Sequence, residues 1–581
     1  MCTASGPARP ITPLYRLIPG TRPDRQCACA LVLVLLAAAA GAPSARAASL
    51  TDREHTDIAE PRPADVPDDA RLEADGALIG EILIEVGDIF NEHDPREDAL
   101  LYRAADRLHR RTRESAIRAQ LLFGSGDRYR ARKLAETERR LRLLSYLYDV
   151  HIVPVRWHDG LVDVRVITHD VWTLSPGFAF GRTGGTNSTN INLQDANILG
   201  TGKGLQFAQA RSVDRTSDGV IWSDPNTFGS RWTTAAAFVD SSDGGQRSLQ
   251  LARPFYELDA RWSATVAAST YQRTVSRYSL GRIVDQFSDD EASYQLSGGI
   301  SDGLRNGWVM RWLGGVTYDR NRFREPIGSS TPAAQLPPDR ILSYPFIGFD
   351  LVQDDFRKFA DYNQIGRTED FFFGTEVTGS LGFAKPAFGA DRDAILVAVT
   401  ARKGYALDPG QQLFMTGSFT SRVEDQRARN LIASATTSYY WRWRPDWLLY
   451  ANLGATVTSA LDPDQQLLVG GDSGLRGYPL RYESGTSRAV ASVEQRFYTD
   501  WYPFRLARVG GAVFADVGRT WGTGVIGNSD PGLLRDAGFG LRLGNTRSGL
   551  GNVLHIDLAF PLKPLPGISR VQFLVQTLQS F

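Results

Sequence analysis

The feature that most constrains this fold is a run of short alternating segments that extends from Val171 to Phe581. Segments of about ten residues alternate apolar and polar side chains and are separated by Gly, Asp, Asn and Pro, which is typical of transmembrane β-strands. In one clear example, from Gly551 to Leu562, Ile556 and Leu558 share one face and Asp557 lies on the other. The pattern predicts strands with one side toward lipid and the other toward a lumen.

A closed barrel is the only membrane architecture that suits this pattern. Beyond residue 47 the sequence has no run of about 20 apolar residues, the length that a membrane helix needs. In lipid every backbone N–H and C=O has to be paired within the protein, so a spanning sheet has to close on itself. A soluble β-sandwich is the alternative, but it does not explain so long a stretch of strands. We count about twenty strands between Trp172 and Phe581.

The first 47 residues have the pattern of a secretory signal peptide. A basic start (Arg16, Arg22 and Arg25) is followed by the apolar stretch Ala30–Ala40 and by the small-residue cleavage pattern Ala45-Arg46-Ala47. An N-terminal membrane anchor is the alternative. All three cysteines, Cys2, Cys27 and Cys29, lie in this segment, so the mature chain would have no cysteine nucleophile or cysteine metal ligand. Residues 48–78, rich in Asp, Glu, Pro and Arg, are expected to be flexible.

Residues 79–170 predict a small α+β domain in the order strand, helix, helix, strand, strand. Its second helix, Arg130–Tyr146, places leucines on one face and basic residues on the other. We expect that basic face, which consists of Arg132, Lys133, Arg139, Arg140 and Arg142, to be exposed to solvent. The fold prediction is therefore mainly β: a C-terminal transmembrane antiparallel β-barrel, residues 171–581, behind a small α+β domain.

The segment Gly470–Pro479 reads Gly-Gly-Asp-Ser-Gly-Leu-Arg-Gly-Tyr-Pro and places one arginine in a glycine-rich loop. Its tetrad Leu475, Arg476, Gly477 and Tyr478 resembles the [Val/Ile/Leu]-Arg-Gly-[Phe/Tyr] motif of the BamA/TamA-type outer-membrane assembly family. The resemblance implies that the loop lies inside the barrel. It also implies about 16 strands, five of them after the loop. We count five there and an excess upstream, where segments such as Arg277–Gln286 would be hairpins in outer loops.

A loop arginine inside a barrel needs partners, because the loop gives up conformational freedom. Glu494 and Asp516 lie on the inward faces of the two strands that follow, and Arg496 shares the face of Glu494. The run Phe514-x-Asp516-x-Gly518 resembles a further motif of the family, which implies that its aspartate and aromatic hold the loop. The alternative is an arginine on a surface loop and an aspartate that lines a water-filled pore.

The α+β domain, placed directly before a barrel, resembles a POTRA domain. The resemblance implies a periplasmic module that binds unfolded clients or assembly partners, in part by adding a strand to an exposed sheet edge. A generic α+β domain without a partner is the alternative. Asn197-x-x-Gly200-x-Gly202 also resembles a recurrent hairpin of the family.

Enzyme-like strings in the sequence lack the rest of their machinery. Gly471-Asp472-Ser473-Gly474 resembles a protease nucleophile motif, but no His stands in a matching context. Gly200-Thr201-Gly202-Lys203 lacks the spacing of a phosphate loop. We find no metal-ligand motif, and 65 basic residues balance 65 acidic ones, which disfavours nucleic acid as a partner. We therefore predict no enzyme activity, no cofactor and no metal.

Aromatic residues near strand ends predict an interfacial girdle. They are Phe371, Phe372, Phe373, Tyr439, Tyr440, Trp441, Trp443, Trp447 and Tyr450. Phe581 ends the last strand and resembles the terminal aromatic signal of outer-membrane barrels, although Thr577 and Gln579 interrupt its pattern.

These features together predict an outer-membrane protein with its N-terminal domain in the periplasm. The family resemblance implies that it aids insertion or export of other outer-membrane or secreted proteins. Its partners would then be outer-membrane lipid and unfolded clients or periplasmic assembly partners. A passive pore and a dedicated two-partner-type exporter without a general assembly role are the alternatives.

Overall fold

The protein is described here by a computed structural model that covers residues 61–90, 100, 102–103, 109–326, 335–524, 526–547, 553–563 and 565–578. The predicted signal segment, the first part of the predicted flexible N-terminus and Phe581 lie outside these residues.

The N-terminal domain is a three-stranded sheet covered by helices. Its elements are α1 Asp69–Ala74, β1 Leu78–Gly87, α2 Glu114–Arg118, α3 Ala131–Arg142, β2 Leu147–His158 and β3 Leu161–Asp170. The sheet order is β1-β3-β2, with β1 parallel and β2 antiparallel to β3. Val162, Val164 and Val166 alternate along β3 and are fully buried with Ile117 and Leu141 of the helices. From β1 to β3 the observed order is the one that the sequence predicts for residues 79–170. Helix α1, whose Leu72 is buried in the core, lies in the segment 48–78 that the sequence predicts to be flexible, so that prediction is wrong for residues 69–74.

The rest of the described chain is almost entirely strand. The elements, in chain order, are β4 Leu174–Thr183, β5 Thr186–Asp195, β6 Gly204–Arg211, β7 Thr216–Thr227, β8 Trp232–Ser241, β9 Gly244–Arg253, β10 Trp262–Ser279, β11 Arg282–Arg305, β12 Trp308–Arg324, β13 Arg340–Gln353, β14 Phe356–Ala360, β15 Thr368–Phe372, β16 Thr375–Ala384, β17 Ala394–Asp408, β18 Gln411–Glu424, β19 Arg427–Arg444, β20 Trp447–Ser459, β21 Leu467–Val469, β22 Glu483–Gly485, β23 Ser487–Tyr498, β24 Ala507–Trp521, β25 Leu534–Asn545, β26 Val553–Pro561 and β27 Gln572–Leu578.

Within the described residues, twenty of these strands close into one antiparallel barrel, and β14–β15 and β21–β22 form two separate hairpin sheets. The count made from the sequence is therefore confirmed, and the sixteen strands implied by the family resemblance are wrong for this chain. Residues 277–286 form the tip of the β10–β11 hairpin, but both strands of that hairpin belong to the barrel wall. Five barrel strands follow the Gly470–Pro479 loop, as expected.

The barrel strands separate their two faces with a period of two. Val493, Phe539 and Leu541 are exposed on the outer surface, while Glu494 and Asp557 are buried inside. An apolar outer face and a polar inner face agree with the transmembrane pattern in the sequence. No helix in the described part of the chain is long and apolar enough to span a bilayer.

The aromatic girdle is only partly where the sequence places it. Trp441, Trp443 and Trp447 are exposed on the outer surface. Tyr440 and Tyr450 fall on the inward face, and Phe371 packs with them inside the barrel. Their neighbours Phe372 and Phe373 also belong to the β14–β15 segment, and Phe373 is buried against Phe359 and Phe414. The girdle prediction is wrong for the three phenylalanines because the β14–β15 segment turns into the barrel. It is wrong for Tyr440 and Tyr450 because their positions on β19 and β20 face the lumen.

The basic face of α3 is also not exposed to solvent, because it rests on acidic turns of the barrel. Arg132 pairs with Asp259 and Lys133 pairs with Glu257. Arg140 donates to the backbone carbonyl of Tyr256 at 2.8 Å. The N-terminal domain therefore sits on one end of the barrel, which we call the domain-side mouth; the opposite end is the far mouth.

Candidate functional site

The Gly470–Pro479 loop enters the barrel from the far mouth and is anchored at that rim. The carboxylate of Asp462 accepts from Arg340 at 2.7 Å and from Arg422 at 3.0 Å. Arg481 donates to Asp214 of the β6–β7 turn at 2.6 Å. We call residues 470–479 the arginine loop. Its two ends are held by charged contacts, so its tip enters the lumen from a fixed base.

Backbone bonds give the arginine loop its shape. The N–H of Leu475 donates to Gly470 O at 3.1 Å, and the N–H of Gly471 donates to Pro479 O at 3.0 Å. Gly474 has a φ of 97°, a conformation that other residues rarely adopt. The hydroxyl of Ser473 exchanges hydrogen bonds with the backbone of Gly470. Ser473 is therefore part of the turn, which argues against a nucleophile role.

Arg476 lies at the tip of the loop and is fully buried. Its guanidinium forms a two-pronged pair with Asp516, with Nε to Oδ2 and Nη2 to Oδ1 both at 2.8 Å. Nη1 donates to Glu494 Oε2 at 2.9 Å, and Nη2 also donates to Ser492 Oγ at 3.1 Å. The planar fork of arginine suits this geometry, and a lysine cannot reproduce it.

The other residues of the two motifs pack around that pair. The ring of Phe514 lies under the Arg476 guanidinium, 3.3 Å from ring centre to Cζ. The hydroxyl of Tyr478 donates to Arg535 O at 3.0 Å and accepts from Arg535 N–H at 3.2 Å. A Cβ on Gly518 would lie 3.3 Å from a methyl group of Leu475, so the glycine lets the loop pack closely. The structure thus gathers both motifs at one place in the barrel wall.

Arg496, in contrast, does not bind the arginine loop directly. Its Nε donates to Glu494 Oε1 at 2.9 Å, so it acts on Arg476 only through that shared carboxylate. Arg542 Nη2 also lies 3.2 Å from Glu494 Oε2, and Arg542 Nη1 binds Asp557 Oδ1 at 2.5 Å. Asp557 Oδ2 is 3.7 Å from Arg476 Nη1.

In the sequence, Asp557 lies on the lumen face of its strand and Arg542 alternates with the apolar Leu541 and Leu543, but neither pattern joins these residues to the arginine loop. Three arginines and three carboxylates therefore meet on the inner wall of β23–β26; they are Arg476, Arg496, Arg542, Glu494, Asp516 and Asp557. Such a balanced set keeps each buried charge compensated. The strand parity of Arg542 was the available signal, but only the register of β25 against β26 shows that the two residues meet.

The arrangement is suited to holding a loop rather than to bond chemistry. Its charges pair with one another, and the hydroxyl of Ser473 bonds the backbone of Gly470. Among the described residues, no cluster of His, Cys, Asp or Glu is placed to bind a metal ion.

A second contact joins the N-terminal domain to the barrel at the turn between β5 and β6. The side chain of Asn197 donates to Thr112 Oγ1 at 2.7 Å and accepts from Gly202 N–H at 2.6 Å. The carbonyl of Gly200 accepts from Arg113 N–H at 2.8 Å. Gly200 has a φ of 75°, and a Cβ there would lie 2.3 Å from Arg111 O. The Asn-x-x-Gly-x-Gly turn is thus a docking surface for the domain.

Comparisons with known proteins identify the C-terminal part of the chain. Residues 409–576, which contain the arginine loop and its binding strands, match the model of the Omp85 superfamily domain. No curated protein sequence matches the chain.

Among solved structures, BamA from Haemophilus ducreyi lacking POTRA domains 1-3 is 15% identical, with a TM-score of 0.35 over 85% of this chain and 84% of that chain. CdiB from Acinetobacter baumannii is 11% identical, with a TM-score of 0.42 over 86% of this chain and 74% of that chain. CdiB from Escherichia coli is 14% identical, with a TM-score of 0.44 over 86% and 76%. The family match therefore shows an Omp85 superfamily domain in residues 409–576, the part of the chain that holds the arginine loop.

Proposed function

We propose that this protein inserts other proteins into the outer membrane or moves them across it. The Omp85 domain supports an assembly or translocation role in general. The observation that carries the proposal is the fully buried Arg476, held by Asp516 and Glu494. An arginine in a water-filled pore needs no such partners, whereas a braced loop fixes the shape of the adjoining wall.

We further propose that the N-terminal domain is a POTRA-like module in the periplasm that receives unfolded clients. Its strand and helix order and its place before the barrel support this. The edge of β2, however, is already engaged: Val150 O accepts from Arg142 at 3.0 Å, and Ile152 N–H donates to Glu138 at 2.7 Å. The start of β1 is also engaged, because Ile79 exchanges backbone bonds with Gly126 and Asp127. A client strand would therefore add to the later part of β1, or to β2 only after these side chains have moved.

The seam between the first and last barrel strands is the site where we propose that a client strand is templated. Strand β27 pairs with β26 at seven positions. Among the described residues, it pairs with β4 only where Val575 faces Arg182. The side chain of Gln576 adds a bond to Thr183 Oγ1 at 2.7 Å. A seam with few backbone bonds opens at lower cost than any other place in the wall.

Two segments that enter the lumen, one from each mouth, argue against a passive pore. The arginine loop occupies the lumen from the far mouth, and Phe371 of the β14–β15 hairpin packs on the inner wall from the other mouth. A passive pore needs an open aqueous path, so two inserts in the lumen favour a protein-handling role over a pore.

Depletion of the protein from its host tests the proposal. We expect many barrel proteins to disappear from the outer membrane if the role is general assembly, and a single secreted protein to disappear if the role is dedicated export. Wild-type protein supplied from a plasmid should restore the loss, and Arg476→Ala should not. Normal levels of all outer-membrane and secreted proteins after depletion would contradict both roles and favour the pore.

A further inference from the structure

The segment 354–374, between β13 and β16, is a built element rather than a simple turn. Strands β14 and β15 form an antiparallel pair, in which Phe356 lies opposite Phe372 at one end and Ala360 lies opposite Thr368 at the other. The residues between them are held by two carboxylates. Glu369 accepts the backbone N–H groups of Tyr362, Asn363 and Gln364, and Asp361 accepts that of Gly366 at 2.6 Å. We call this segment the mouth hairpin.

One side of the mouth hairpin packs on the inner wall of the barrel. The rings of Tyr362 and Phe371 pack against Tyr440, Phe371 edge-to-face, and Tyr362 donates to Gln412 at 2.8 Å. Arg442 donates to the carbonyls of Ala360 and Asp361 at 2.9 and 2.6 Å. The hairpin also reaches β25, seven strands round the described ring from β16, where a Cβ on Gly544 would lie 2.7 Å from the Cβ of Ile365. The hairpin therefore extends from its root between β13 and β16 far round the domain-side mouth.

The other side of the mouth hairpin binds the N-terminal domain. Arg142 of α3 forms a two-pronged pair with Asp370, with both bonds at 2.8 Å. Thr368 donates to Asp149 at 2.9 Å, and Lys358 pairs with Glu138. The hairpin is thus held between the domain and the barrel wall.

The mouth hairpin is also connected to the arginine loop. Arg496 donates through Nη1 to Tyr362 O at 2.8 Å and through Nε to Glu494 Oε1 at 2.9 Å. The second oxygen of Glu494 accepts from Arg476 at 2.9 Å. Because Glu494 serves both arginines in a buried setting, displacement of Arg496 changes the field that holds Arg476.

We propose that the mouth hairpin plugs the domain-side mouth and couples the seating of the N-terminal domain to the arginine loop through Arg496 and Glu494. When the domain is seated, Arg142 holds the hairpin in the mouth, and the hairpin orients Arg496. When the domain lifts away, the hairpin loosens, Arg496 loses Tyr362 O, and the arginine loop becomes less tightly held. Both mouths are then closed together, because movement of the N-terminal domain at one mouth loosens the arginine loop that enters from the other.

The test uses full-length protein in lipid nanodiscs and hydrogen exchange of backbone amides, corrected for intrinsic rates. Asp370→Asn removes the charged partner of Arg142 without changing side-chain size. We expect a several-fold faster exchange in residues 361–367 and also in residues 470–486. Asp302→Asn is the matched control, since Asp302 pairs with Arg305 in an exposed turn at the same mouth; it should change neither region.

A second variant tests the connection itself. Arg496→Gln leaves the hairpin bound to the domain but removes the link to Glu494. In this background, Asp370→Asn should loosen residues 361–367 and have no further effect on residues 470–486. If Asp370→Asn loosens the hairpin but not the arginine loop in the otherwise unchanged protein, the coupling is refuted. If it loosens neither, Arg142 does not hold the hairpin and the proposal is also refuted.

The plug is tested separately by ionic current across planar bilayers. Asp370→Asn should raise the frequency of conducting events several-fold over the wild type and over Asp302→Asn. If hydrogen exchange shows that both the hairpin and the arginine loop have loosened and the current is still unchanged, the hairpin does not block the mouth. Neither hydrogen exchange nor ionic current needs a client protein. These measurements can therefore refute the closure while the protein-handling role stands, and they can support the closure even if the protein-handling role is refuted.

Discussion

Arg476 is the residue on which the candidate site depends. It is fully buried and is met by two carboxylates, a serine and an aromatic ring. Removal of one partner from such a buried pair costs about 3–5 kcal/mol, because the other charge is left uncompensated. The contacts of this one side chain therefore account for the fixed position of the arginine loop.

The pair between Arg476 and Asp516 should behave as one unit. We expect Arg476→Ala and Asp516→Ala each to destabilise the folded barrel, and the double mutant to cost little more than either single one. The measurement is the free energy of unfolding in urea for all four proteins. The control is the exposed pair between Arg519, on the same strand as Asp516, and Asp530 of the connection that follows; it should show little coupling. Fully additive effects at the buried pair would mean that the two side chains do not meet.

Gly477 should tolerate no side chain. A Cβ at this position would lie 2.5 Å from the Cβ of Asp536, so Gly477→Ala has to push the loop off the wall. We expect a loss of about 1–3 kcal/mol in the free energy of unfolding. Gly454→Ala is the matched control, because a Cβ there meets nothing within 4 Å. An equal effect of both substitutions would contradict the close approach of the loop.

At the residue scale, the sequence pattern identified the two acidic partners of Arg476 but not the whole charged network around it. Strand parity and the Phe-x-Asp-x-Gly run were enough to single out Glu494 and Asp516. The period of two also put Arg542 on the inner face, yet parity carries no information on register. The pairing of β25 with β26, which brings Arg542 opposite His555 and near Asp557, is a property of the closed sheet.

Among the elements, the position of the mouth hairpin inside the barrel could not be predicted from the sequence pattern. Its run of three phenylalanines has the same composition as an interfacial girdle, and periodicity does not tell whether a segment turns toward lipid or toward the lumen. The same holds for α3, whose basic face has the pattern of an exposed helix. That face is covered because acidic barrel turns, distant in sequence, lie beneath it.

The mouth hairpin should become less stable as the pH rises. Burial raises the pKa of Glu369 to about 7, and three backbone N–H groups and the charge of Asp361 modify this effect in opposite directions. The folded hairpin therefore holds a proton that the opened segment releases, so its stability falls between about pH 4.5 and pH 7 and is constant above that range. The full change is about 3 kcal/mol.

Hydrogen exchange of residues 361–367, corrected for intrinsic rates, is the measurement for this pH dependence. Glu369→Gln should abolish most of it, since the amide cannot ionise. A hairpin that is better protected at pH 8 than at pH 5 in the wild type would contradict the predicted sign.

For the whole molecule, the alternation of apolar and polar residues predicted the number of strands better than the family resemblance did. The alternation of apolar and polar residues gave about twenty strands, and the ring has twenty within the described residues. The expectation of sixteen strands was wrong because it rested on the family resemblance. Each of the additional segments has its own apolar, lipid-facing side in the sequence, so the alternation pattern counts it as a strand. Closure itself followed from the need to pair every backbone group in lipid.

The barrel should be obstructed by two inserts in series. Deletion of residues 470–479 alone should leave most of the electrical resistance of the wild type in planar bilayers, because the mouth hairpin remains. Deletion of residues 470–479 together with replacement of 356–372 by a short Gly-Ser linker should give a large, lasting current. Shortening the far-mouth segment 385–393 is the control and should leave the current low. A large current after deletion of the arginine loop alone would contradict the second insert.

The most direct test of the central claim is reconstitution of the full-length protein in lipid vesicles with an unfolded outer-membrane barrel as client. We predict that the wild type speeds folding of the client into the vesicles over empty vesicles, that Arg476→Ala loses most of this acceleration, and that Gly454→Ala retains it. Equal folding rates with wild type, Arg476→Ala and empty vesicles, together with failure to carry any secreted client into the vesicles, would contradict a protein-handling role.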